Sequence, residues 1–347
     1  MAKAVALFSD GLDSTLSILI ILKQNIEVKA LKFLTPFEHT FSLEVLFLIA
    51  EKFGFEVKLI DLSEKFIEIV KKPKFGYGKN MNPCIDCRIL MLKEAKAFME
   101  DIMADFIISG EVLGQRPMSQ RKNILYCIDK EAGVKDYVLR PLSAKLLRIT
   151  IPEVRGIVDR DMLFDFRGSS RKPQMRLAKE FVLKEYPAPA GGCLLTEPNY
   201  VYRLKDLFTY NSGSNLEDIR LLRIGRHFRY SPSCKIIIGR DKDENEEICS
   251  LSDHGCLVTV EGYGSPTALL LGDVTDEALR VAASLCARYS DAKNLSEVDV
   301  SIKKGDDRFV LKVPPATNEI IENLRIELKA HAKNSSKTKK WIKSSFL

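Results

Sequence analysis

Short apolar runs alternate with amphipathic segments along the first part of the chain. The runs predict buried strands at residues 3–8, 28–33, 56–62, 105–109 and 137–139. Helical patterns lie between them, at residues 14–23, 41–53, 63–72 and 87–103. Strands that alternate with helices predict a doubly wound α/β fold, in which helices cover both faces of a parallel sheet. Such sheets bind ligands at the carboxyl ends of their strands, where we expect Ser9, Phe33, Leu62, Gly110 and Arg140.

The pattern changes in the second half of the chain. A capping box from Thr150 to Glu153 starts one helix, and further helices are predicted at 172–185 and 200–207. The polar stretch TYNSGSN, residues 209–215, indicates a linker. Beyond it, strands are predicted at residues 235–239, 256–261, 268–271, 298–302 and 308–313. Helices are predicted at residues 244–250 and 276–289. We therefore predict an α/β domain (1–208), a smaller α+β domain (209–328) and a basic tail (329–347).

Composition is that of a globular protein. The chain has 347 residues, of which 46% are hydrophobic and 29% charged, and it has no apolar run long enough for a transmembrane helix. No signal-peptide pattern is predicted either, so we expect a cytoplasmic protein without a membrane partner. The net charge of +6 equals the six lysines from Lys329 onward, which leaves the rest of the chain neutral. The tail is either a frayed terminus or a contact for nucleic acid.

The stretch ALFSDGLDSTLS, residues 6–17, places a tight turn between the first strand and the first helix. Gly11 lets the backbone approach an anion, and the start of the helix directs free N–H groups and a positive dipole end at the same place. Ser9, Ser14 and Thr15 add hydroxyl groups. This arrangement predicts a phosphate cradle, although the spacing is not that of a Walker loop.

The same stretch resembles the S-G-G-x-D-S loop of the PP-loop ATP pyrophosphatases, a family of adenine nucleotide alpha hydrolase-like fold, with Asp10 in place of one glycine. The resemblance covers about residues 1–205. It implies ATP as cofactor, with Asp13 holding Mg²⁺ and the phosphates and Phe33 lining the adenine pocket. The residues that would wrap the phosphates are Ser9, Asp10, Gly11, Leu12 and Ser14. Asp10 adds a negative charge that requires Mg²⁺ or a basic neighbour.

Two later stretches fit the same site. ISGEVLGQR follows a strand with Gly110 and then offers Gln115 and Arg116, and LRPLS places Arg140 after the next strand. Guanidinium groups suit phosphate because they form paired hydrogen bonds. We predict that Gly110, Gln115 and Arg140 contact the nucleotide.

Three cysteines have a spacing suited to a metal or to redox chemistry. Cys84 and Cys87 form a C-x-x-C pair beside a helix start, which lowers thiol pKa values, and Cys193 follows two glycines. A zinc site would require a fourth ligand, and the candidates His227 and His254 fall in the predicted second domain. The set therefore suits either an iron–sulfur cluster with one open iron or a catalytic pair with a third thiol.

PP-loop enzymes that thiolate tRNA resemble this chain in carrying a C-x-x-C and a distant single cysteine in the same order. One branch holds a [4Fe–4S] cluster through three such cysteines, and another relays sulfur as a persulfide. The resemblance implies that Cys84, Cys87 and Cys193 are catalytic and bind metal, and the GGC sequence favours the cluster. It implies that ATP adenylates a uridine carbonyl oxygen and that sulfur then displaces AMP from a flipped base.

Four arginines recur at every third position in RLLRIGRHFR. Arg220, Arg223, Arg226 and Arg229 are predicted to bind RNA, with His227, Phe228 and Tyr230 available to stack on bases. The alternative is an exposed basic face with its apolar residues in the core. The segment also resembles the NFACT-R-type RNA-binding module over about residues 215–315.

Together these features predict an ATP-dependent tRNA sulfurtransferase that makes 4-thiouridine. The expected partners are tRNA and an external sulfur donor, either sulfide or a persulfide carrier, and a homodimer is left open. The alternatives are a 2-thiouridine synthetase with a persulfide relay, a PP-loop amidotransferase that uses ammonia, and an RNA-binding scaffold with a zinc site.

Overall fold

The computed structural model describes residues 2–39, 43–183, 192–250 and 255–327. The basic tail and His254 lie outside the described residues. Contacts divide the chain into two compact units, Met1–Thr196 and Glu197–Leu347.

The first unit alternates strands and helices, as the apolar pattern predicts. Its strands are β1 (Lys3–Leu7), β2 (Glu27–Leu34), β3 (Glu56–Asp61), β4 (Phe106–Ser109) and β5 (Val138–Leu139). Its helices are α1 (Leu12–Leu22), α2 (Leu43–Phe53), α3 (Ser63–Lys71), α4 (Cys84–Asp101), α5 (Lys122–Glu131), α6 (Ile151–Val154) and α7 (Lys172–Glu180). Helix α6 starts at the predicted capping box of Thr150 and Glu153.

The five strands form one parallel sheet in the order β3-β2-β1-β4-β5. The strand order reverses between β1 and β4, because β2 lies on one side of β1 and β4 on the other. A crevice opens at such a reversal, and it is the usual ligand site of doubly wound sheets. The phosphate loop after β1 and the turn at Gly110 after β4 both lie at this position.

Alternate residues of β1 pack into two separate cores. Ala4 and Ala6 belong to the core that contains Leu16 of α1, whereas Val5 and Leu7 face the core that contains Leu92 of α4. Every second side chain of a strand points to the same face, so a strand that is apolar throughout is covered on both sides. This confirms the predicted doubly wound α/β fold.

The second unit is built around an antiparallel sheet. Its strands are β6 (Arg226–Ser231), β7 (Cys234–Ile238), β8 (Cys256–Val260), β9 (Ala268–Gly272), β10 (Val298–Lys304) and β11 (Asp307–Val313). Its helices are α8 (Pro198–Tyr210), α9 (Leu216–Leu221), α10 (Lys242–Ser250), α11 (Asp276–Arg288) and α12 (Asn318–Leu324). The sheet order is β11-β10-β8-β9-β7-β6, and the hairpin predicted around KKGDD joins β10 to β11.

Helix α8 belongs to the second unit by its contacts. Arg203 donates to Glu327 at 2.6 Å and to the carbonyl oxygen of Leu222 at 2.9 Å, and Arg229 pairs with Asp206 at 2.6 Å. These contacts place the unit boundary before α8, whereas the sequence suggested one after residue 208. The predicted domain boundary after residue 208 stays a prediction.

The arginine-rich segment is divided among several elements: α9 ends at Leu221, Gly225 has a positive φ of 73°, and β6 begins at Arg226. Helix α4 begins at Cys84 and not at Cys87, so both cysteines lie in its first turn. In the residues that the structure describes, no helix is long and apolar enough to cross a membrane.

Candidate active site

The turn after β4 lies directly against the start of α1. A Cβ atom at Gly110 would come within 2.6 Å of both the backbone nitrogen and Cα of Ser14. Only glycine allows this approach, because backbone atoms of a helix cannot move aside. Gly110 therefore sets the distance between the two loops at the strand reversal, and a contact between Gly110 and a nucleotide stays a prediction.

The phosphate loop, residues 9–14, has its left-handed residue at Asp10, with φ 57°, and an extended Gly11. Aspartate tolerates this conformation better than most residues, which explains how it stands where the family pattern has glycine. The Ser14 and Thr15 hydroxyl groups donate to the carbonyl oxygen of Gly11 at 2.9 and 3.0 Å, and Ser9 Oγ lies 3.2 Å from Ser14 Oγ. Because no side chain caps α1, its first N–H groups remain available to an anion.

Asp13 has one engaged and one unpartnered carboxylate oxygen. Its Oδ2 accepts a hydrogen bond from Gln115 Nε2 at 2.9 Å, and its buried Oδ1 has no partner among the described residues. A buried carboxylate oxygen without a donor is costly unless a ligand satisfies it. A magnesium ion fits this need, since Mg²⁺ in nucleotide sites is held by one or two carboxylates together with phosphate oxygens.

Lys32 supplies the basic neighbour that Asp10 requires. Its side chain is buried, and Nζ lies 3.8 Å from Asp10 Oδ1 and 3.2 Å from Glu38 Oε2. Burial raises the pKa of Asp10, while Lys32 opposes that rise. The sequence analysis missed Lys32 and Glu38, although a lysine within an apolar strand was a usable signal.

Three residues predicted to bind nucleotide lie in the interior. Leu12 and Phe33 are packed in the two cores of the sheet, and their contacts with a nucleotide stay predictions. Arg140 is also buried, and its guanidinium binds Asp129 through two hydrogen bonds of 2.7 and 2.9 Å and Glu111 through one of 3.0 Å. These bonds hold the segments that follow β4 and β5 together through Arg140, and its predicted contact with a nucleotide stays a prediction.

The three predicted cysteines lie near one another. Cys84 and Cys87 begin α4, and the Cys193 segment is fixed beside them because Leu194 N–H donates to the carbonyl oxygen of Phe37 and Met81 N–H to that of Leu195. Asn82 Nδ2 lies 3.2 Å from Cys84 Sγ, to which it donates. We call Cys84, Cys87 and Cys193 the thiol cluster.

Burial raises the pKa values of two of the thiols, Cys87 and Cys193. The pKa of Cys87 is raised strongly by burial, with Cys193 and Cys84 adding to the rise and Arg88 opposing it. Burial raises the pKa of Cys193 to about 12. The expectation that the helix start gives low thiol pKa values is therefore wrong for Cys87, and the mutual effects show that the thiols sense one another's charge.

The metal prediction is not confirmed. Within the described ranges, no group of three or more His, Cys, Asp and Glu side chains is arranged to hold a metal ion. The chemistry of the donor set nevertheless suits an iron–sulfur cluster, because three thiols lie close together, an amide N–H already contacts one sulfur, and Arg88 offers compensating charge.

The four predicted RNA-binding arginines have unequal roles in the second unit. Arg229 is paired with Asp206 and stacks over Tyr210 at 4.7 Å, and Arg226 stacks over Tyr289 at 4.5 Å. Arg223 is partly buried, whereas Arg220 is exposed at the end of α9. RNA binding by these side chains stays a prediction, with Arg220 the most accessible of them.

Two aromatic residues expected to stack on RNA bases are unavailable. His227 and Phe228 are fully buried, His227 Nε2 lies 2.8 Å from the carbonyl oxygen of Ile224, and Phe228 packs in the core under α11. Burial lowers the pKa of His227 well below its usual value, so it stays neutral. His227 and Phe228 are neighbours on β6 and point to opposite faces of the strand, so both faces are covered at this position.

Comparisons with known families match both parts of the chain. Residues 1–146 match the family model described as thiamine biosynthesis protein (ThiI), and residues 225–325 match the one described as the NFACT protein RNA-binding domain. The first part of the chain is therefore similar to the ThiI family, and the second part to the NFACT RNA-binding domain. Both resemblances found in the sequence are confirmed.

The chain is also similar to a curated protein, the probable tRNA sulfurtransferase of Lysinibacillus sphaericus (strain C3-41). The two are 30% identical over 189 residues, which cover 51% of this chain and 45% of that protein. The chain thus spans about half the length of the curated relative it matches.

Solved structures with similar folds are more distant. A 4-thiouridine synthetase in complex with RNA and ATP is 19% identical, with 52% of each chain covered and a TM-score of 0.35. The C-terminal part of the fibronectin/fibrinogen-binding protein of Streptococcus suis is 15% identical, with 45% of this chain and 77% of that chain covered and a TM-score of 0.27. Similarity at this level supports no functional conclusion.

Proposed function

We propose that this protein is an ATP-dependent tRNA sulfurtransferase that adenylates a uridine carbonyl oxygen and replaces it with sulfur. The observation that carries the proposal is the unpartnered Oδ1 of Asp13 at an open helix start, in the same unit as a cluster of three thiols. The first feature suits Mg²⁺ and the phosphates of ATP, and the second suits sulfur chemistry. The match to the ThiI family model and the similarity to a probable tRNA sulfurtransferase support it.

The substrate would be tRNA, held in part by the NFACT-type module. That module's family is described as RNA-binding, and Arg220 offers an exposed guanidinium for a phosphate. We propose 4-thiouridine as the product, since the resemblance that predicted the two-domain arrangement is to synthetases of this nucleoside. A cytoplasmic location, a homodimer and the source of sulfur remain predictions.

Different residues of this chain would hold the magnesium ion, neutralise Asp10 and bind the phosphate oxygens. Asp13 would hold the magnesium ion and Gln115 would fix the orientation of the Asp13 carboxylate. Lys32 would neutralise Asp10 so that the loop does not repel the phosphates. The start of α1 would bind the phosphate oxygens through its backbone N–H groups.

The sulfur would be handled at the thiol cluster. Cys84, Cys87 and Cys193 would hold a [4Fe–4S] cluster, which when bound offers an open iron for sulfur. A persulfide relay between these cysteines is the second candidate. The specific observation in its favour is that Cys84 and Cys193 both act on the pKa of Cys87, so the three thiols are near enough for exchange between them.

Formation of AMP and thiolated tRNA tests the proposal. We expect the full chain, given ATP, Mg²⁺, sulfide and an unmodified tRNA transcript without oxygen, to produce one AMP for each thiolated uridine. Chromatography measures the AMP, and mass spectrometry of digested tRNA distinguishes 4-thiouridine from 2-thiouridine. An RNA-binding scaffold would bind the transcript without forming AMP, and an amidotransferase would form AMP only with ammonia.

Iron and sulfide analysis tests the assignment of the thiol cluster. Protein purified without oxygen is expected to contain about four irons and four sulfides per chain. The Cys193→Ala variant should lose them, because the substitution removes one of the three cysteine ligands. Cys249→Ala, at an exposed cysteine outside the cluster, is the matched control and should retain them. Stoichiometric zinc would contradict the cluster, and a metal-free, active protein would favour the persulfide relay.

A further inference from the structure

A short closed loop, residues 114–120, follows β4. Gly114 N–H donates to the carbonyl oxygen of Gln120 at 2.7 Å, and Gln120 N–H donates to that of Arg116 at 3.0 Å. These bonds close the loop on itself and fix the backbone of Arg116. We call this segment the arginine loop.

The arginine loop is anchored at both of the proposed chemical centres. At one end, Gln115 Nε2 donates to Asp13 Oδ2 at 2.9 Å. At the other, Met118 Sδ lies 4.0 Å from Asn82 Nδ2, the same amide group that donates to Cys84 Sγ at 3.2 Å. Arg116 therefore lies on a segment that connects the phosphate loop to the thiol cluster.

The side chain of Arg116 is unpaired although acidic groups and thiols surround it. It makes no hydrogen bond or ion pair with any residue that the structure describes, and it is exposed. Desolvation lowers the pKa of Arg116, and the nearby charge of Arg88 lowers it further. Cys84, Glu111 and Asp13 act to raise it. Because its side chain is exposed and unpaired among the described residues, the guanidinium is free to meet a ligand.

We propose that Arg116 binds the α-phosphate of the adenylated uridine and stabilises AMP as it leaves during sulfur transfer. This inference rests on the proposed function. The β- and γ-phosphates leave as pyrophosphate in the first step, so they are absent when sulfur attacks. Only the α-phosphate is joined to the uridine oxygen, and it must therefore lie between the phosphate loop and the thiol cluster, where Arg116 is anchored.

The two steps balance as follows for a uridine O4 substrate and hydrosulfide as the sulfur donor. In the first, O4 attacks the α-phosphorus, the bond to pyrophosphate breaks, and the N3 proton passes to solvent. In the second, sulfur attacks C4, the C4–O4 bond breaks with its electron pair, AMP leaves with O4, and the sulfur proton is transferred to N3, which restores the neutral nucleoside. Negative charge grows on the α-phosphate oxygens in the second step, where a guanidinium can bind them in pairs.

Substitution of Arg116 tests the inference. Arg116→Ala is expected to reduce kcat for thiolation by about 100-fold, the scale on which one stabilising donor acts. The KM values for ATP and tRNA should stay within about 2-fold, because the contact is made as the leaving group forms. With ATP labelled at the α-phosphate, the label should accumulate on tRNA in this variant, and Arg116→Lys should restore part of the rate.

Arg121→Ala is the matched control, because Arg121 is an exposed arginine shortly beyond the arginine loop, and its rate should equal that of the unmodified protein. A raised KM for tRNA with unchanged kcat would overturn the inference, since it would mark Arg116 as a contact for RNA phosphates. An unchanged rate, or a slower rate without labelled tRNA, would also overturn it. Failure of the unmodified protein to form AMP would instead reject the proposed function.

Discussion

Asp13→Asn is expected to reduce ATP-dependent AMP formation by about 100- to 1000-fold, the loss seen when a group that stabilises transition-state charge is removed. Asparagine keeps an oxygen that can accept the hydrogen bond from Gln115, so the loop should retain its shape. The substitution removes the negative charge and the unpartnered carboxylate oxygen of Asp13. Mg²⁺ binds neutral amide oxygens less strongly than carboxylates, so the ATP phosphates would lose their bridge to the loop.

The measurement is AMP formation at saturating tRNA, together with an ATP titration at fixed Mg²⁺. Asp101→Asn, at the exposed end of α4, is the control for the same chemical change and should leave both values unaltered. Far-ultraviolet circular dichroism of each variant checks that the fold is retained. Full AMP formation by Asp13→Asn would remove the phosphate loop from the proposed site.

The sequence predicts the framework of the site well because that framework is local. The phosphate loop is a single strand, turn and helix start, so Ser9, Gly11 and Asp13 can be placed from adjacent residues alone. The doubly wound sheet follows from apolar runs separated by helical patterns. The family models then agree with both predicted modules.

Contacts between residues that are far apart in the sequence could not be predicted from local sequence patterns. Lys32 meets Asp10 only because β2 lies beside β1, and Gln115 meets Asp13 only because β4 lies on the other side. The reversal of strand order is a property of the whole sheet, which no short motif encodes. The ion pairs of Arg140 could not be predicted for the same reason, since its partners Asp129 and Glu111 lie on different elements.

The arginine-rich segment shows that a three-residue spacing of side chains does not by itself distinguish a helix from a strand. A spacing of three residues places side chains on one face of a helix, but in a strand it sends them alternately to opposite faces. Gly225 breaks the helix, and the residues beyond it follow the strand period of β6. That change buries Phe228 and divides the four arginines among a helix end, a turn and a strand.

Removal of Arg140 is expected to give the largest loss of stability. Arg140→Met should lower the free energy of unfolding by about 3–5 kcal/mol, because loss of one partner leaves buried charges uncompensated. Arg140 is 2% exposed, and it neutralises both Asp129 and Glu111 in the interior. Burial alone would raise the pKa of Glu111, but Arg140 and Arg88 outweigh it and the pKa is lowered. Without Arg140, Glu111 would keep the 3.5 Å contact with Arg88 and the 3.1 Å hydrogen bond from the Ser109 hydroxyl, which supply much less compensating charge.

Urea unfolding followed by far-ultraviolet circular dichroism measures this loss. Arg155→Met is the matched control, since Arg155 is exposed and its substitution should change the free energy of unfolding by no more than about 0.5 kcal/mol. Arg140→Lys keeps the charge without the paired hydrogen bonds and should give an intermediate loss. An ATP titration of this lysine variant separates the two roles considered for Arg140. A stability loss with unchanged ATP affinity supports a positioning role at the β4 and β5 ends, whereas lost affinity in a fully folded variant would restore the predicted contact with the nucleotide.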